Sequence, residues 1–332
     1  MCGRSAVTFA ITSDDVLAAA ERIAPHSVRT PVVHSTKLSE RVGASVFCKA
    51  ESLQRTGAFK FRGATNAISA MDPADAARGI ITFSSGNHGQ AISRAAGIFG
   101  YPATIVMPTD APAIKVEATR SWGANIVTYD RYTESREDTA ARVRDETGGV
   151  LIPPYDHPWV MAGQGTVALE MLEQVPNLDL LVVPVGGGGL LSGSATIAKQ
   201  LHPSISIIGV EPETGDDHVL SRAAGHIVSL DAVPRTIADG QQVKAPGELT
   251  WPINDALVDD FVTVSDAEIV KAMRLLFLHH KLVVEPSGAS ALAAVLHRLI
   301  APAESRVGVV LSGGNIGLDT FTSLVTDHEA GP

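Results

Sequence analysis

Apolar residues are distributed along this chain in two alternating patterns. Short, nearly continuous runs rich in valine and isoleucine occupy residues 46–49, 80–83, 104–107, 126–129, 180–185, 205–210 and 307–311. Amphipathic segments lie between them, at 59–71, 89–99, 113–122, 134–146, 160–174, 190–201, 266–279 and 288–299. The first pattern predicts strands buried on both faces, and the second predicts helices that cover them. Strands that alternate with helices pair in parallel, so the fold class is α/β, with open, largely parallel sheets and helices on both faces. The number of strands exceeds what one compact sheet usually carries, and two sheets are expected.

Bulk features narrow the class. Of 332 residues, 45% are hydrophobic and 19% charged, as in a globular protein. No apolar run approaches the ~20 residues of a membrane span, so no membrane partner is expected. The first ten residues carry no apolar core of a secretory leader. A net charge of −10 argues against nonspecific binding of nucleic acid or anionic lipid. The two cysteines, Cys2 and Cys48, fall in no pairing motif and suit a reducing cytoplasm.

Ligands of open α/β sheets sit beyond the carboxyl ends of strands, where loops lead into helices. Four such turns have distinctive chemistry. In the first, Lys60 stands at a helix mouth between Phe59 and Phe61. Partly apolar surroundings lower a lysine pKa and favour the neutral, nucleophilic amine. Alone, such a lysine is more often an ordinary surface residue. In the second, Ser84, Ser85, Gly86, Asn87 and His88 follow an apolar strand and open a helix, an anion-friendly arrangement that also reads as a plain connection. In the third, Gly186, Gly187, Gly188 and Gly189 separate a buried strand from a helix, which lets backbone N–H groups converge on a phosphate. Neither a dinucleotide fingerprint nor a Walker loop is present. The fourth, Ser312-Gly313-Gly314-Asn315, is weak by itself. Together the turns offer a reactive amine, a phosphate cradle and small polar groups, which is what a phosphorylated aldehyde cofactor needs.

In combination and in order, SLQRTGAFKFRGA, SSGNHGQA, GQGTVALE, PVGGGGLLSG, TIADG, VEPSGA and LSGGN resemble the fold-type II pyridoxal-phosphate enzymes, in the serine/threonine dehydratase and serine racemase branch. The resemblance runs from about His26 to Leu318. It implies a tryptophan synthase β-like architecture. Residues 1–78 and 157–332 would form a discontinuous cofactor-binding domain, and residues 79–156 a small inserted domain that closes over the substrate. It also implies that Lys60 holds pyridoxal 5′-phosphate as a Schiff base and that Phe59 packs on the ring. Asn87 would bond the ring's 3′ oxygen, Gly186 to Gly189 would wrap the phosphate, and Ser312 would face the pyridine nitrogen. Ser84, Asn87 and His88 would bind the substrate carboxylate.

The implied reaction starts with removal of an α-proton by Lys60. A serine at the pyridine nitrogen is too weak an acid to keep the ring protonated, which favours prompt loss of a β-hydroxyl. The expected activity is therefore that of a serine/threonine ammonia-lyase, which makes a 2-keto acid and ammonia. Serine racemase and threo-3-hydroxyaspartate dehydratase are the alternatives. Ser85 occupies the position of the opposite-face acid of the racemases, and Arg136 matches an arginine near their substrate. Arg136 reads equally as an exposed helix charge.

Glu211, Asp217 and the carbonyl of Gly215 offer hard oxygen ligands, and the resemblance implies Mg²⁺, Mn²⁺ or Ca²⁺ on them. The other reading is an acidic helix N-terminus. A homodimer is implied by the family, and the short stretch after Asn315 is read as leaving no room for a regulatory domain. Two rivals from other classes are a nucleotide-binding protein, read from the glycine turn, and a catalytically silent binding protein on this scaffold.

Overall fold

The computed structural model describes residues 8–326 except 112, 131 and 299. Cys2 and the last residue of the 288–299 segment lie outside them; Cys48 is buried and free.

Two sheets form. The larger contains β1 (Val32–His34), β2 (Ser45–Ala50), β7 (Leu180–Pro184), β8 (Ser206–Pro212), β9 (Asp260–Val264) and β10 (Arg306–Leu311), in the order β1-β2-β10-β7-β8-β9. Only the β1–β2 pair is antiparallel. The smaller sheet takes its strands from the middle of the chain: β3 (Ile80–Phe83), β4 (Ala103–Pro108), β5 (Asn125–Tyr129) and β6 (Val150–Leu151), in the order β5-β4-β3-β6, all parallel.

The valine and isoleucine runs form strands because each strand is covered on both sides. Leu180 and Val182 of β7 point into one core with Val307 and Val309 of β10. Leu181 and Val183, one residue out of step, point into the other. The smaller sheet repeats this, with Ile105 and Met107 on one side and Val106 on the other. The pattern does not disclose β1, β6 and β9. All three are edge strands, paired on one side only, and two of them have three residues or fewer. Edge positions need little apolar surface, so they leave little trace in the sequence.

On one face of the large sheet lie α1 (Ser13–Ile23), α3 (Lys60–Ala70), α8 (Pro158–Gln174) and α9 (Gly189–Leu201). On the other lie α2 (Thr36–Val42), α12 (Asp266–His280), α13 (Pro286–His297) and α14 (Leu318–Thr326). Helices α4 (Pro73–Ala77), α5 (Asn87–Phe99), α6 (Ala113–Ser121) and α7 (Arg136–Thr147) accompany the small sheet, while α10 (Asp217–Ala224) and α11 (Trp251–Leu257) follow β8. Helix α12 starts at a capping box, with Ser265 and Glu268 bonding each other's backbone N–H. No helix among the described residues is long and apolar enough to cross a membrane.

Beneath α3 lies a buried ionic knot. Arg62 bonds Glu51 through Nε and Nη2, both at 2.8 Å, and Glu170 through Nη1 at 2.7 Å. Lys49 of β2 bonds the same Glu170 at 2.6 Å. Arg62, Lys49 and Glu51 are all 0% exposed, a situation tolerable only when every charge is paired. The knot joins β2, α3 and α8 two residues after Lys60.

Candidate active site

The loops at the carboxyl ends of β2, β3, β7 and β10 converge on one cleft of about 280 Å³. Phe59, Lys60, Ser84, Ser85, Asn87, His88, Arg136, Gly186, Gly187, Gly188, Gly189 and Ser312, singled out in the sequence as cofactor, substrate and catalytic positions, all line it.

Lys60 is the first residue of α3. The preceding loop is pinned to the end of β10: Phe59 N donates to Ser312 O at 3.0 Å, and Ala58 bridges to Gly313. The Lys60 amine donates to Pro154 O at 2.7 Å and lies 5.1 Å from the Phe59 ring centre. Desolvation by the surrounding walls lowers its pKa to about 8, so a sizeable fraction of neutral amine exists near neutral pH.

Opposite, α5 begins at Asn87, so the unbonded N–H groups of its first turn face this end of the cleft. Asn87 Nδ2 donates to Glu285 Oε1 at 2.6 Å, and Asn87 Oδ1 accepts from Asn315 Nδ2 at 2.7 Å. Glu285 is 4% exposed; burial, then the charge of Asp239, pushes its carboxyl up to about 8. His88 is buried with Nε2 3.2 Å from Ile152 O. Burial and the nearby Lys60 charge hold it down at about 3, so the ring is neutral and brings no positive charge to a carboxylate.

The glycine loop has the shape of an anion cradle. Gly188 has φ +94°, a left-handed conformation that favours glycine, and it caps α9. A Cβ on Gly187 would stand 2.4 Å from the ring of Tyr155, so only a bare backbone fits there. The loop carbonyls are used elsewhere: Gly187 O accepts from Thr250 Oγ1 at 2.7 Å, and Gly188 O faces Asn254 Nδ2 at 3.4 Å. The N–H groups at the start of α9 remain for a ligand. Gln241 braces the cradle, its Nε2 donating to Val185 O at 2.9 Å and Val210 O at 2.8 Å.

Two cations stand on the wall. Arg136, the first residue of α7, lies 5.2 Å from the Phe83 ring centre and bonds Glu137 at 2.7 Å. Lys115 of α6 reaches Asp239 at 2.6 Å. The sequence reading missed Lys115, Asp239, Tyr155 and the roles of Glu285 and Asn315. Glu285 and Asn315 sit inside the quoted VEPSGA and LSGGN motifs, where their contacts had no local signal.

A nucleophilic amine, a glycine-lined anion cradle and the polar side chains of Asn87 and Ser312 fit a phosphorylated aldehyde. The sequence profile of the family described as pyridoxal-phosphate dependent enzyme matches residues 23–313. The chain belongs to this family. It is 50% identical over 321 residues to the L-threo-3-hydroxyaspartate ammonia-lyase of Saccharomyces cerevisiae, covering 97% of this chain and 98% of that protein. It is 45% identical over 315 residues to the serine racemase of Schizosaccharomyces pombe, covering 95% and 97% respectively. Its fold superposes on maize serine racemase with a TM-score of 0.91 and 45% identity, over 96% of this chain and 98% of that one. The pyridoxal-phosphate fold expected from the motifs is therefore the fold observed.

The acidic pair expected to hold a metal lies outside the cleft, behind the glycine loop. Glu211 at the end of β8 and Asp217 at the start of α10 converge with His218, their donor atoms all within 4.8 Å of one another. Gly215 lies in the turn between them, its N–H bonded to Pro212 O at 2.9 Å. His218 is the member the sequence reading missed. Both carboxyls are pushed upward by burial, while the adjacent Glu211 and Asp217 carboxylates outweigh burial and raise the imidazole to about 9. Asp217 is 1% exposed, yet neither of its carboxylate oxygens has a hydrogen-bond donor.

Proposed function

We propose that this protein is a pyridoxal-phosphate-dependent ammonia-lyase of a small L-β-hydroxy amino acid, and that L-threo-3-hydroxyaspartate suits its cleft best. The observation that carries this reading is Arg136 on the wall of a cleft that also holds Lys60, the other wall cation, Lys115, being paired with Asp239. Serine and threonine have no second carboxylate to match Arg136. A guanidinium has five N–H donors, and Glu137 leaves most of Arg136's free. Three hydroxyaspartate enzymes among the relatives, two 50% and one 47% identical, point the same way.

Pyridoxal phosphate, when bound, supplies an electron sink for negative charge at the α-carbon. The protein's own groups do the rest. Lys60 would hold the cofactor's aldehyde carbon, and its amine, when free, would take the α-proton as general base. N–H groups of Gly186, Gly187, Gly188 and Gly189 hold the phosphate. Asn87 donates to the ring oxygen and Ser312 faces the ring nitrogen. Ser84, Asn87 and the first turn of α5 receive the α-carboxylate. His88, being neutral, orients that turn through Ile152 O rather than pairing with charge. Loss of the β-hydroxyl and hydrolysis of the resulting enamine give the 2-keto acid and ammonia, with the water lost in elimination regained in hydrolysis. Residues 79–156 act as the closing unit, and the Lys115–Asp239 bond is one contact that closure uses. Glu211, Asp217 and the Gly215 carbonyl would hold a divalent cation, Mg²⁺, Mn²⁺ or Ca²⁺, which would brace the glycine loop from behind. The unpaired, buried Asp217 supports it.

Racemisation is the second reading, supported by Ser85 in the cleft and the serine racemase relatives. The test is a substrate panel assayed for keto acid and ammonia on the cofactor-loaded protein. The expected result is kcat/KM for L-threo-3-hydroxyaspartate at least about tenfold above serine and threonine, with Lys60→Ala lacking both turnover and the visible absorbance of covalently held cofactor. Absence of keto acid from every β-hydroxy amino acid, with cofactor fully bound, would overturn the reading.

A further inference from the structure

The Glu211–Asp217–His218 cluster has a hydrogen-bonding deficit that its own residues do not resolve. His218 Nδ1 stands 3.1 Å from Glu211 Oε1 and 3.4 Å from Asp217 Oδ2. A ring nitrogen carries at most one hydrogen, so Nδ1–H serves one carboxylate and leaves the other without a donor. Glu211 is satisfied in any case, because its oxygens also accept from His218 N at 2.9 Å and Val219 N at 3.1 Å. Asp217 is not: both its oxygens are buried and unpartnered. A second orphan lies on the far side of the ring. Asn254 is 0% exposed, its Oδ1 has no donor, and its Nδ2 lies 3.4 Å from His218 Nε2.

We propose that His218 Nδ1 is itself a ligand, so that the site is a nitrogen-and-carboxylate centre that selects a first-row transition ion, Mn²⁺ or its heavier neighbours, over Mg²⁺ and Ca²⁺. The inference rests on the reading above that a divalent cation occupies Glu211 and Asp217; it adds the nitrogen and the selectivity.

Three observations converge on it. Two ligand atoms at right angles on an octahedral ion with bonds of about 2.1 Å stand about 3 Å apart, close to the 3.1 and 3.4 Å separations from Nδ1 to the two carboxylates. An ion among the three atoms gives Asp217 the partner it lacks. With Nδ1 on the metal, Nε2 carries the hydrogen, and turning the Asn254 amide by 180° presents Oδ1 to accept it. Metal-bound histidines are held in this way by a second acceptor, and amide orientation is a choice the hydrogen-bond network decides. Asp217 and Asn254 Oδ1 thereby gain partners; the turn gives up the 3.4 Å contact of Asn254 Nδ2 with Gly188 O, which still accepts from Ser192 N at 2.8 Å. Imidazole favours transition ions, whereas Mg²⁺ and Ca²⁺ prefer all-oxygen sites. The ring also packs against Trp251 and Phe261, 6.0 and 5.2 Å between centres, so its position is fixed before any ion arrives.

The experiment uses cofactor-loaded protein stripped of metal by chelation, with Mn²⁺ and Mg²⁺ as probes. Calorimetric titration reads affinity, and pulsed electron paramagnetic resonance of bound Mn²⁺ reads directly coordinated nitrogen. Expected are one Mn²⁺ per chain, bound at least about tenfold more tightly than Mg²⁺, and the hyperfine coupling of one imidazole nitrogen, which changes isotope signature in protein made with ¹⁵N-histidine. In His218→Gln the coupling disappears and the preference for Mn²⁺ falls below about threefold, while Mg²⁺ still binds. Mn²⁺ bound without a nitrogen coupling in the unaltered protein would overturn the inference and leave His218 a donor to the carboxylates. That measurement needs no variant, so a misfolded His218→Gln does not obscure it. Failure of both ions to bind would instead remove the cation reading on which the inference stands.

Discussion

Asn87 at the start of α5 and Glu285 before the start of α13 join hands across the cleft, Nδ2 to Oε1 at 2.6 Å, although 198 residues separate them in sequence. One belongs to a helix on the small sheet, the other to a helix on the large sheet. With Asn315 donating to Asn87 Oδ1 from the other side, the amide cannot turn over without losing both bonds. Its second N–H is thereby aimed in one direction only.

Removing the acceptor frees that amide. Glu285→Ala is expected to weaken pyridoxal-phosphate affinity about tenfold, the effect of losing one hydrogen bond to a buried donor, roughly 1–2 kcal/mol. Glu285→Gln keeps an oxygen for Asn87 and should stay within about threefold of the unaltered protein. Spectrophotometric titration of the apoprotein with cofactor measures both. Equal losses in the two variants would show that charge, not the bond to Asn87, is what the site uses.

The same carboxyl makes apoprotein stability depend on pH. Its pKa is about 8 in the folded chain against an ordinary value of 4.5. Between these values the folded state holds a proton that the unfolded state has released, so stability falls as pH rises through the window. The limiting slope for one proton is about 1.4 kcal/mol per pH unit. Apoprotein melting should therefore drop from pH 5 to pH 8 more steeply in the unaltered protein than in Glu285→Gln. Lys60 acts oppositely at higher pH. Its amine is lowered to about 8 from 10.5, so its contribution improves as pH rises above about 8. Parallel melting curves for the two proteins between pH 5 and 8 would contradict this account.

Arg136 discriminates among substrates if it receives a side-chain carboxylate. Arg136→Ala should raise KM for L-threo-3-hydroxyaspartate by about tenfold or more and change kcat/KM for L-serine by less than about threefold. Steady-state kinetics on both substrates checks it; equal losses on both would assign Arg136 to the shared α-carboxylate or to structure.

If Ser85 is the opposite-face acid, it separates elimination from racemisation. With Lys60 as the base, both would begin with the same proton removal, and only inversion would need a proton delivered to the opposite face. Ser85→Ala should depress D-serine formation from L-serine by about tenfold or more while lowering pyruvate formation much less. Chiral chromatography and a keto-acid assay on one reaction read both. In the unaltered protein, keto acid should form faster than the D-enantiomer.

Much of this was legible because the functional chemistry sits in turns between buried strands, where the sequence is punctuated by glycine, serine and asparagine. The strands announce themselves by apolar runs, and every run chosen forms a strand. What stayed hidden depends on long-range contact. Glu285 becomes unusual only when folding buries it beside Asn87 and Asp239. Lys115 reads as one more helix lysine until α6 faces the loop that carries Asp239. His218 follows two acidic residues and looked like part of a helix start; its ring gains meaning only from Glu211, brought close by the turn after β8. Strands β1, β6 and β9 escaped for the opposite reason, since edge strands bury too little to need a pattern.

The ionic knot beneath α3 bears on the order in which the chain can fold as it is synthesised. Lys49, Glu51 and Arg62 emerge from the ribosome first, but the carboxylate that completes the knot, Glu170, follows more than a hundred residues later. Strand β2 likewise waits for β10, made near the end, to pair along its full length. Until then, closing a core around Arg62 and Lys49 would bury charge without its partner, which is costly. Strands β3 to β6, by contrast, pair only with one another and are complete by residue 151. The nascent chain should therefore become protease-resistant from the middle outward, its opening segment staying open longest although it is the first to see solvent.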